Sequence, residues 1–195
     1  MNVILASASP RRRELMKKLN IPFEVIIVPH EEKLNKRKNV YNQCIDIAYQ
    51  KAKVVYDKEI ENNSDNFIVI GSDTVVVHNK KIYGKPHNYN EAFDMIRNLS
   101  GTSHEVVTSL VMLIMKNGIF YEEKLYEVCK VYIDEMNDEE IDDWINNSDP
   151  YSKAGGYAIQ ESFGKYISKI DGDYFTVVGF PLNKVYRLLK NICKS

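Results

Sequence analysis

The sequence predicts an α/β fold with a mixed sheet, and three observations carry that prediction. Short β-branched runs alternate along the chain with stretches whose apolar residues recur every three or four positions. Two long β-like stretches, 105–115 and 119–134, meet at Asn117-Gly118, a hairpin signal that argues against a purely parallel sheet. No repeat, low-complexity tract or Pro/Ser-rich linker interrupts the 195 residues, so 1–195 reads as a single domain, long enough for one large domain or two small lobes sharing a core.

The elements follow in order. "NVILA" (2–6) is a short buried strand leading to a helix that starts near Pro10, with Leu15, Met16 and Leu19 as its apolar stripe. "PFEVIIV" (22–28) is β-rich and predicts a second strand, and the charged segment 30–40 predicts a loop. From Asn42 to Ile60 one helical face carries Ile45, Ala48, Tyr49, Ala52, Val55 and Tyr56. "FIVIGSDTVVV" (67–77) is two β-branched runs around Gly71, Ser72 and Asp73. "NEAFDMIRNLSG" (90–101) is a helix stopped by Gly101, and "NDEEIDDWINNS" (137–148) is a helix with acids in its first turn, as the dipole prefers. The glycine-dotted stretch 154–180 reads as short strands and turns. A final amphipathic helix carries Val185, Leu188, Leu189 and Ile192.

Composition narrows the function. With 26 Lys and Arg against 27 Asp and Glu, the formal net charge is −1, which disfavours nucleic-acid binding by the whole molecule. Any anion site must be a local cluster. The three cysteines, Cys44, Cys129 and Cys193, lack CxxC spacing and read as reduced thiols. The apolar stretch before the first arginines is too short for a signal-peptide core, and no run approaches a membrane span, so a cytoplasmic protein is expected.

One local cluster is at the first helix. Ser9 is a good N-cap and Pro10 suits the first helical position, yet Arg11, Arg12 and Arg13 crowd a helix end that is already positive. Each exposed cation there costs about 0.3–1 kcal/mol. A bound anion would offset that cost; a solvated turn answered by surface carboxylates is the other reading. Asp73 lies where buried strand is expected, so its carboxylate calls for a cation, a metal or several donors, unless Gly-Ser-Asp forms an exposed turn.

Glu31 and Glu32 matter only as a second carboxylate sharing a divalent cation with Asp73, a hard-oxygen pairing suited to Mg²⁺ or Mn²⁺. Lys51 and Lys53 flank the apolar helix face, and spacing does not choose between them. Lys85, in "YGKP", is held extended by Pro86 and suits either a phosphate contact or a plain turn. "SGTSH" (100–104) and "KAGGY" (153–157) are either N–H cradles for phosphate or turns. The four histidines show no metal-ligand spacing, and no G-x-S-x-G elbow is present.

Taken together, these segments resemble the Maf (septum formation inhibitor-like) family of nucleoside triphosphate pyrophosphatases. The resemblance runs nearly end to end, in motif order, through "LASASPRRREL" (5–15), "EEKLN" (31–35), "IAYQKAK" (47–53), "VIGSDTVV" (69–76), "YGKP" (83–86), "NLSGTSHEVVT" (98–108), "DPYSKAGGYAIQ" (149–160) and "IDGDYFTVVGFPL" (170–182). It implies a mixed, twisted sheet with flanking helices and two lobes around a cleft. It also implies hydrolysis of a nucleoside triphosphate between the α and β phosphates with a divalent cation.

By this resemblance Asp73 is the catalytic carboxylate that accepts the proton of the attacking water, and Glu32 helps it hold the metal. Lys51 rather than Lys53, together with Lys85 and Arg12, serves the phosphates. Arg11, Thr74 and Gln160 match the dTTP/UTP-type branch, whereas the branch preferring 7-methyl-GTP is similar in fold but carries Trp, Gln and Glu. Ser72 stands where the dTTP/UTP-type branch usually has Ala. Homodimers are common among similar proteins, and no nucleic-acid or membrane partner is implied. The other functional class the family name keeps open is a nucleotide-binding regulator of cell division with little or no turnover.

Overall fold

The computed structural model describes residues 1–62 and 65–194. Val3, Ile4 and Leu5 bury their side chains in β1 (Asn2–Leu5). Ser9 then caps α1 (Pro10–Lys17), its hydroxyl accepting from the Arg12 N–H at 3.4 Å, and Leu15 and Met16 face the core. The strand expected over 22–28 shrinks to β2 (Glu24–Val25), paired parallel to β1. Because β1 ends at Leu5, nothing remains for 26–28 to pair with; the Ile26 N–H bonds the Leu5 carbonyl at 3.2 Å and Ile27 is exposed.

Asn39 caps α2 (Val40–Glu61), which buries Ala48, Ala52, Val55 and Tyr56 as expected, while Cys44 and Ile47 go fully inside where the expected Ile45 and Tyr49 are only half-buried. After it comes one uninterrupted strand, β3 (Phe67–His78), parallel to β1 over its first four residues. Gly71-Ser72-Asp73 is therefore strand and not an exposed turn. A short strand that the sequence reading missed, β4 (Lys81–Tyr83), folds back antiparallel on β3. Asn79 and Lys80 make that turn at φ 49° and 63°, where no glycine marks it.

The next elements are α3 (Tyr89–Leu99), β5 (Ser103–Lys116), β6 (Ile119–Ile133) and α4 (Asp138–Asn147). Gly101, at φ +67°, follows the end of α3 as expected. Asn117 and Gly118, at φ 53° and 75°, form the two-residue turn that matches strand twist. A reciprocal capping box between Asn137 and Glu140, both bonds 2.9 Å, starts α4. In place of the strands expected over 154–180 there are tight 3₁₀ turns, a single strand β7 (Ile167–Asp171) and a short helix α5 (Tyr174–Val178). Gly155 and Gly156, at φ 70° and 78°, keep the chain turning where a strand would need it extended. The last helix, α6 (Leu182–Lys194), buries Val185 and Leu189. The strand order is β2-β1-β3-β5-β6-β7 with β4 on β3, a mixed sheet as predicted.

Contacts divide the chain into two compact units. The first takes residues 1–73, 108–127 and those from 179 onward; the second takes 74–107 and 128–178. In the first, Ile4, Ala48, Ala52, Val55, Phe67, Val69, Val111 and Leu113 form the core. In the second, Ile96, Leu99, Val131, Ile141, Trp144 and Phe163 do so. Cys44 and Cys129 are buried free thiols, and burial pushes them up to about 12 and about 11. The Cys193 side chain lies outside what is described. Among the described residues no helix is long and apolar enough to cross a membrane.

Two packing details yield predictions. A Cβ on Gly71 would sit 2.2 Å from the Ala48 carbonyl oxygen and 2.9 Å from the Ala52 Cβ, so α2 lies directly on β3. Backbone cannot yield as a side chain does. Gly71→Ala is expected to cost roughly 2–3 kcal/mol and lower the melting temperature by roughly 5–10 °C, read by thermal denaturation.

His104 is buried beside the Tyr157 hydroxyl, with Nε2 to oxygen 2.6 Å, and burial, with His78 adding, pushes its pKa down to about 4. The folded imidazole is neutral, so the unfolded chain binds the extra proton first as pH falls below about 6.5. This contribution to stability is complete above about pH 6.5. It is lost toward pH 4, by about 3 kcal/mol in all. Melting curves between pH 7 and 4.5 should fall more steeply for wild type than for His104→Gln.

Candidate active site

The close approach at Gly71 sets the geometry of the first unit's site. It lays one face of α2 on β3, with Ala48 and Ala52 giving the smallest possible side chains at the contact. From that helix the Lys51 ammonium reaches Asp73 Oδ1 at 2.7 Å. The same ammonium is 3.1 Å from Glu32 Oε1. The side chains of Lys51 and Asp73 are only 19% and 16% exposed, so this ion pair is largely withdrawn from solvent screening. Glu32, at 47%, is the open side of the cluster. Lys53, left equal to Lys51 by spacing, instead pairs with Asp57 at 2.6 Å on the helix surface.

Glu32 comes from the loop before α2, and a residue not singled out from the sequence holds it there. The Gln50 side-chain amide accepts from the Lys33 N–H at 2.8 Å and donates to the Lys33 carbonyl at 2.9 Å. Gln50 precedes Lys51 as Glu32 precedes Lys33, so this two-point tie sets the acid beside the ammonium. Its only trace in the sequence is its place in "YQKAK".

Behind Asp73, the Cys44 thiol lies 3.2 Å from the Ser109 Oγ and 3.4 Å from the Asp73 carbonyl. Ser109 donates to the Cys44 carbonyl at 2.8 Å. Burial, reinforced by the Asp73 charge, keeps this thiol protonated near neutral pH, so it supports the strand and is no nucleophile. Ser72, next to Asp73, is buried and donates to the Gly179 carbonyl at 3.4 Å. Strand alternation sends its side chain away from that of Asp73.

The crowded arginines separate into distinct environments. Arg12 turns its Nε onto the same Gly179 carbonyl at 2.9 Å and its Nη1 toward the Ser7 Oγ at 3.5 Å. Desolvation pulls this guanidinium below its usual pKa, while the negative charges of Asp73 and Glu32 act in the opposite sense. Arg11 is half-buried and its charge opposes that of Arg12; Arg13 is exposed.

Thr74, Lys85 and Gln160 belong to the second unit. Thr74 follows Asp73 on β3 and is half-buried; Lys85 and Gln160 are exposed. Lys85 stands between Gly84, whose carbonyl accepts from the Gly155 N–H at 2.9 Å, and a buried Pro86. The two glycine stretches resolve as turns. The Gly101 N–H goes to the Asp134 carbonyl, that of Thr102 to Leu99, and that of Gly156 to Lys153.

The donor set can be tested against a divalent cation. Among the described residues no three or more His, Cys, Asp and Glu side chains gather into a metal cage. Glu32 and Asp73, both turned onto one ammonium, are two hard-oxygen donors. That fits Mg²⁺ or Mn²⁺, which use one or two carboxylates and complete their shell with water and substrate phosphate.

Comparison with known proteins agrees with the sequence resemblance. The family model described as Maf-like protein matches residues 2–192. The chain is 43% identical to a dTTP/UTP pyrophosphatase of Alkaliphilus oremlandii, over 97% of this chain and 95% of that relative. It is 40% identical to one of Thermoanaerobacter sp. (strain X514), over 97% and 96%. A third dTTP/UTP pyrophosphatase, from Bacillus cereus (strain ATCC 14579), is 38% identical over 96% and 94%.

Proposed function

The chain belongs to the Maf-like protein family, and from that premise and its Lys51-centred cluster we propose that it hydrolyses dTTP and UTP to the monophosphate and pyrophosphate. The observation that carries this reading is one ammonium shared by a strand-held aspartate and a loop glutamate. A polyanion undergoing water attack needs a base and fixed positive charge, and this cluster offers both.

Water bonds to phosphorus as the bridging P–O bond between the α and β phosphates breaks. Asp73 takes the proton that the water loses and later returns it to solvent. Lys51 passes from its carboxylates to the phosphate oxygens as negative charge builds there. Arg12, tied down by Gly179 and Ser7, acts as a fixed positive field; Lys85 adds a second mobile cation for phosphate. Glu32 and Asp73 would hold Mg²⁺ or Mn²⁺, which when bound supplies further charge neutralisation. Arg11, Thr74 and Gln160 select the pyrimidine nucleotide. The buried free thiols Cys44 and Cys129 support a cytoplasmic setting.

The test is a substrate panel of dTTP, UTP, CTP and 7-methyl-GTP with Mg²⁺ or Mn²⁺, assayed for pyrophosphate. Turnover of dTTP and UTP well above the other two is expected. Preference for 7-methyl-GTP, or tight nucleotide binding without turnover, would contradict the reading.

A further inference from the structure

A buried lysine is uncommon, because an ammonium is costly to remove from water unless it is compensated. Lys153 is only 4% exposed, with its ammonium on the Asp149 carbonyl oxygen and 3.2 Å from Glu161 Oε2. The mechanism above makes no use of it. The contact joins the two ends of the segment 153–161, which is pinned along its length by other bonds. The Gly155 N–H donates to the Gly84 carbonyl at 2.9 Å, and the Trp144 indole N–H to the Gly156 carbonyl at 2.9 Å. The Glu161 N–H donates to the Ala158 carbonyl at 3.2 Å. The ion pair is made at the end that carries Gln160, an exposed residue.

We propose that the Lys153–Glu161 ion pair positions Gln160, fixing the backbone from which its amide approaches the pyrimidine. This rests on the reading above that Gln160 selects the base. A primary amide has an acceptor on one side and a donor on the other, and turning it over exchanges them. Uracil and thymine present an N3–H donor between two carbonyl acceptors, whereas cytosine presents an N3 acceptor beside an amine donor. An amide free to turn satisfies either face and binds both without choosing. Discrimination requires that one orientation be held, so that the wrong base meets an unmatched group. A buried ammonium clasping the neighbouring residue fixes the backbone from which the amide extends, and with it the angle at which the amide meets the base. Glu161 and Lys153 are positioning residues in this scheme and touch no reacting atom.

The experiment measures kcat and KM for dTTP and CTP, with Mg²⁺, in the full-length protein. The variants are Gln160→Ala, Glu161→Ala, Glu161→Gln and the double variant Gln160→Ala with Glu161→Ala. Glu161→Ala should lower the preference for dTTP over CTP about tenfold, mainly through KM for dTTP, with kcat within about threefold. Glu161→Gln keeps an acceptor for the ammonium and should restore most of the preference. Adding Glu161→Ala to Gln160→Ala should change the preference no further, because the two act through one group.

The proposal is overturned if Glu161→Ala keeps the wild-type preference, depresses both substrates alike, or shifts the preference further in the Gln160→Ala background. If Glu161→Ala does not fold, the Glu161→Gln comparison decides, since its smaller loss must still fall on the dTTP preference. A wild-type enzyme with no dTTP preference, or a Gln160→Ala variant that retains it, would overturn the reading of Gln160 itself. That outcome is distinct from a failure of the ion pair alone.

Discussion

Asp73→Asn is expected to lower kcat for dTTP about 10³-fold while leaving the far-UV circular dichroism unchanged. The two side chains are nearly the same size, and the amide oxygen can still accept from Lys51. Lys51 also keeps Glu32 at 3.1 Å, so its charge is not stranded. What disappears is the proposed proton acceptor and the negative charge of one of the two carboxylates. The Cys44 thiol reaches the residue through the Asp73 carbonyl at 3.4 Å as well as through Oδ2 at 4.0 Å, and the asparagine keeps both the carbonyl and a side-chain oxygen for it. The melting temperature should therefore move by only a few degrees, an amount corresponding to about 1 kcal/mol in a chain of this size. A turnover number near wild type in a folded Asp73→Asn protein would remove Asp73 from the chemistry.

Lys51→Met gives the second large effect, and it has two signs. In the free protein the Lys51 ammonium is the counter-ion of both Asp73 and Glu32. Its removal leaves two carboxylates facing each other with no cation between them and takes a positive charge from the phosphate path. Turnover should suffer, with kcat/KM for dTTP falling about 10²-fold, equivalent to about 2.7 kcal/mol of transition-state stabilisation. Binding of Mn²⁺ to the nucleotide-free protein should move the other way and tighten, because the metal no longer competes with an ammonium for the same two oxygens. Titration calorimetry with Mn²⁺ alone reads that second effect independently of activity. Lys51→Arg, which restores the charge in a different shape, should recover part of both.

Gly71→Ala connects this chemistry to the fold. The helix bearing Lys51 reaches the strand bearing Asp73 only because position 71 carries no Cβ. That variant should lose activity beyond what its stability loss explains.

The parts of the molecule legible in the sequence are those set by local chemistry. The N-cap at Ser9, the acidic first turn of α4, the Asn117-Gly118 turn and the glycine after α3 all act within a few residues of themselves. Period alone gives Ala48, Ala52, Val55 and Tyr56 of the buried face of α2, and misses the inward turn of its first half toward Cys44 and Ile47. What the residues by themselves could not settle depended on partners distant in the chain. Whether Asp73 lies in a turn or a strand is decided by β3 running on past the end of β1 with β5 on its other side, and by the packing of α2. The choice between Lys51 and Lys53 was open by spacing, and the family resemblance pointed to Lys51; helix phase against Gly71 gives the physical reason. β2 stopped short because its partner strand ended, which no property of residues 22–28 reveals.

The helix-start arginines looked like one basic cluster. Gly179, contributed from the other end of the chain, makes Arg12 a held internal charge. Gln50 and Lys153 lie inside the segments "IAYQKAK" and "DPYSKAGGYAIQ", but nothing in those segments gives either residue a role of its own. Each becomes visible only when its backbone or carboxylate partner is in place.

The central claim is that this cluster directs hydrolysis to the bond between the α and β phosphates. Its most direct test is a product analysis of dTTP turnover by the wild-type protein with Mg²⁺, run beside Asp73→Asn. Equal amounts of dTMP and pyrophosphate, with no dTDP, and a nearly silent Asp73→Asn protein are expected. Release of dTDP and inorganic phosphate, or equal product formation by the Asp73→Asn protein, would contradict the account.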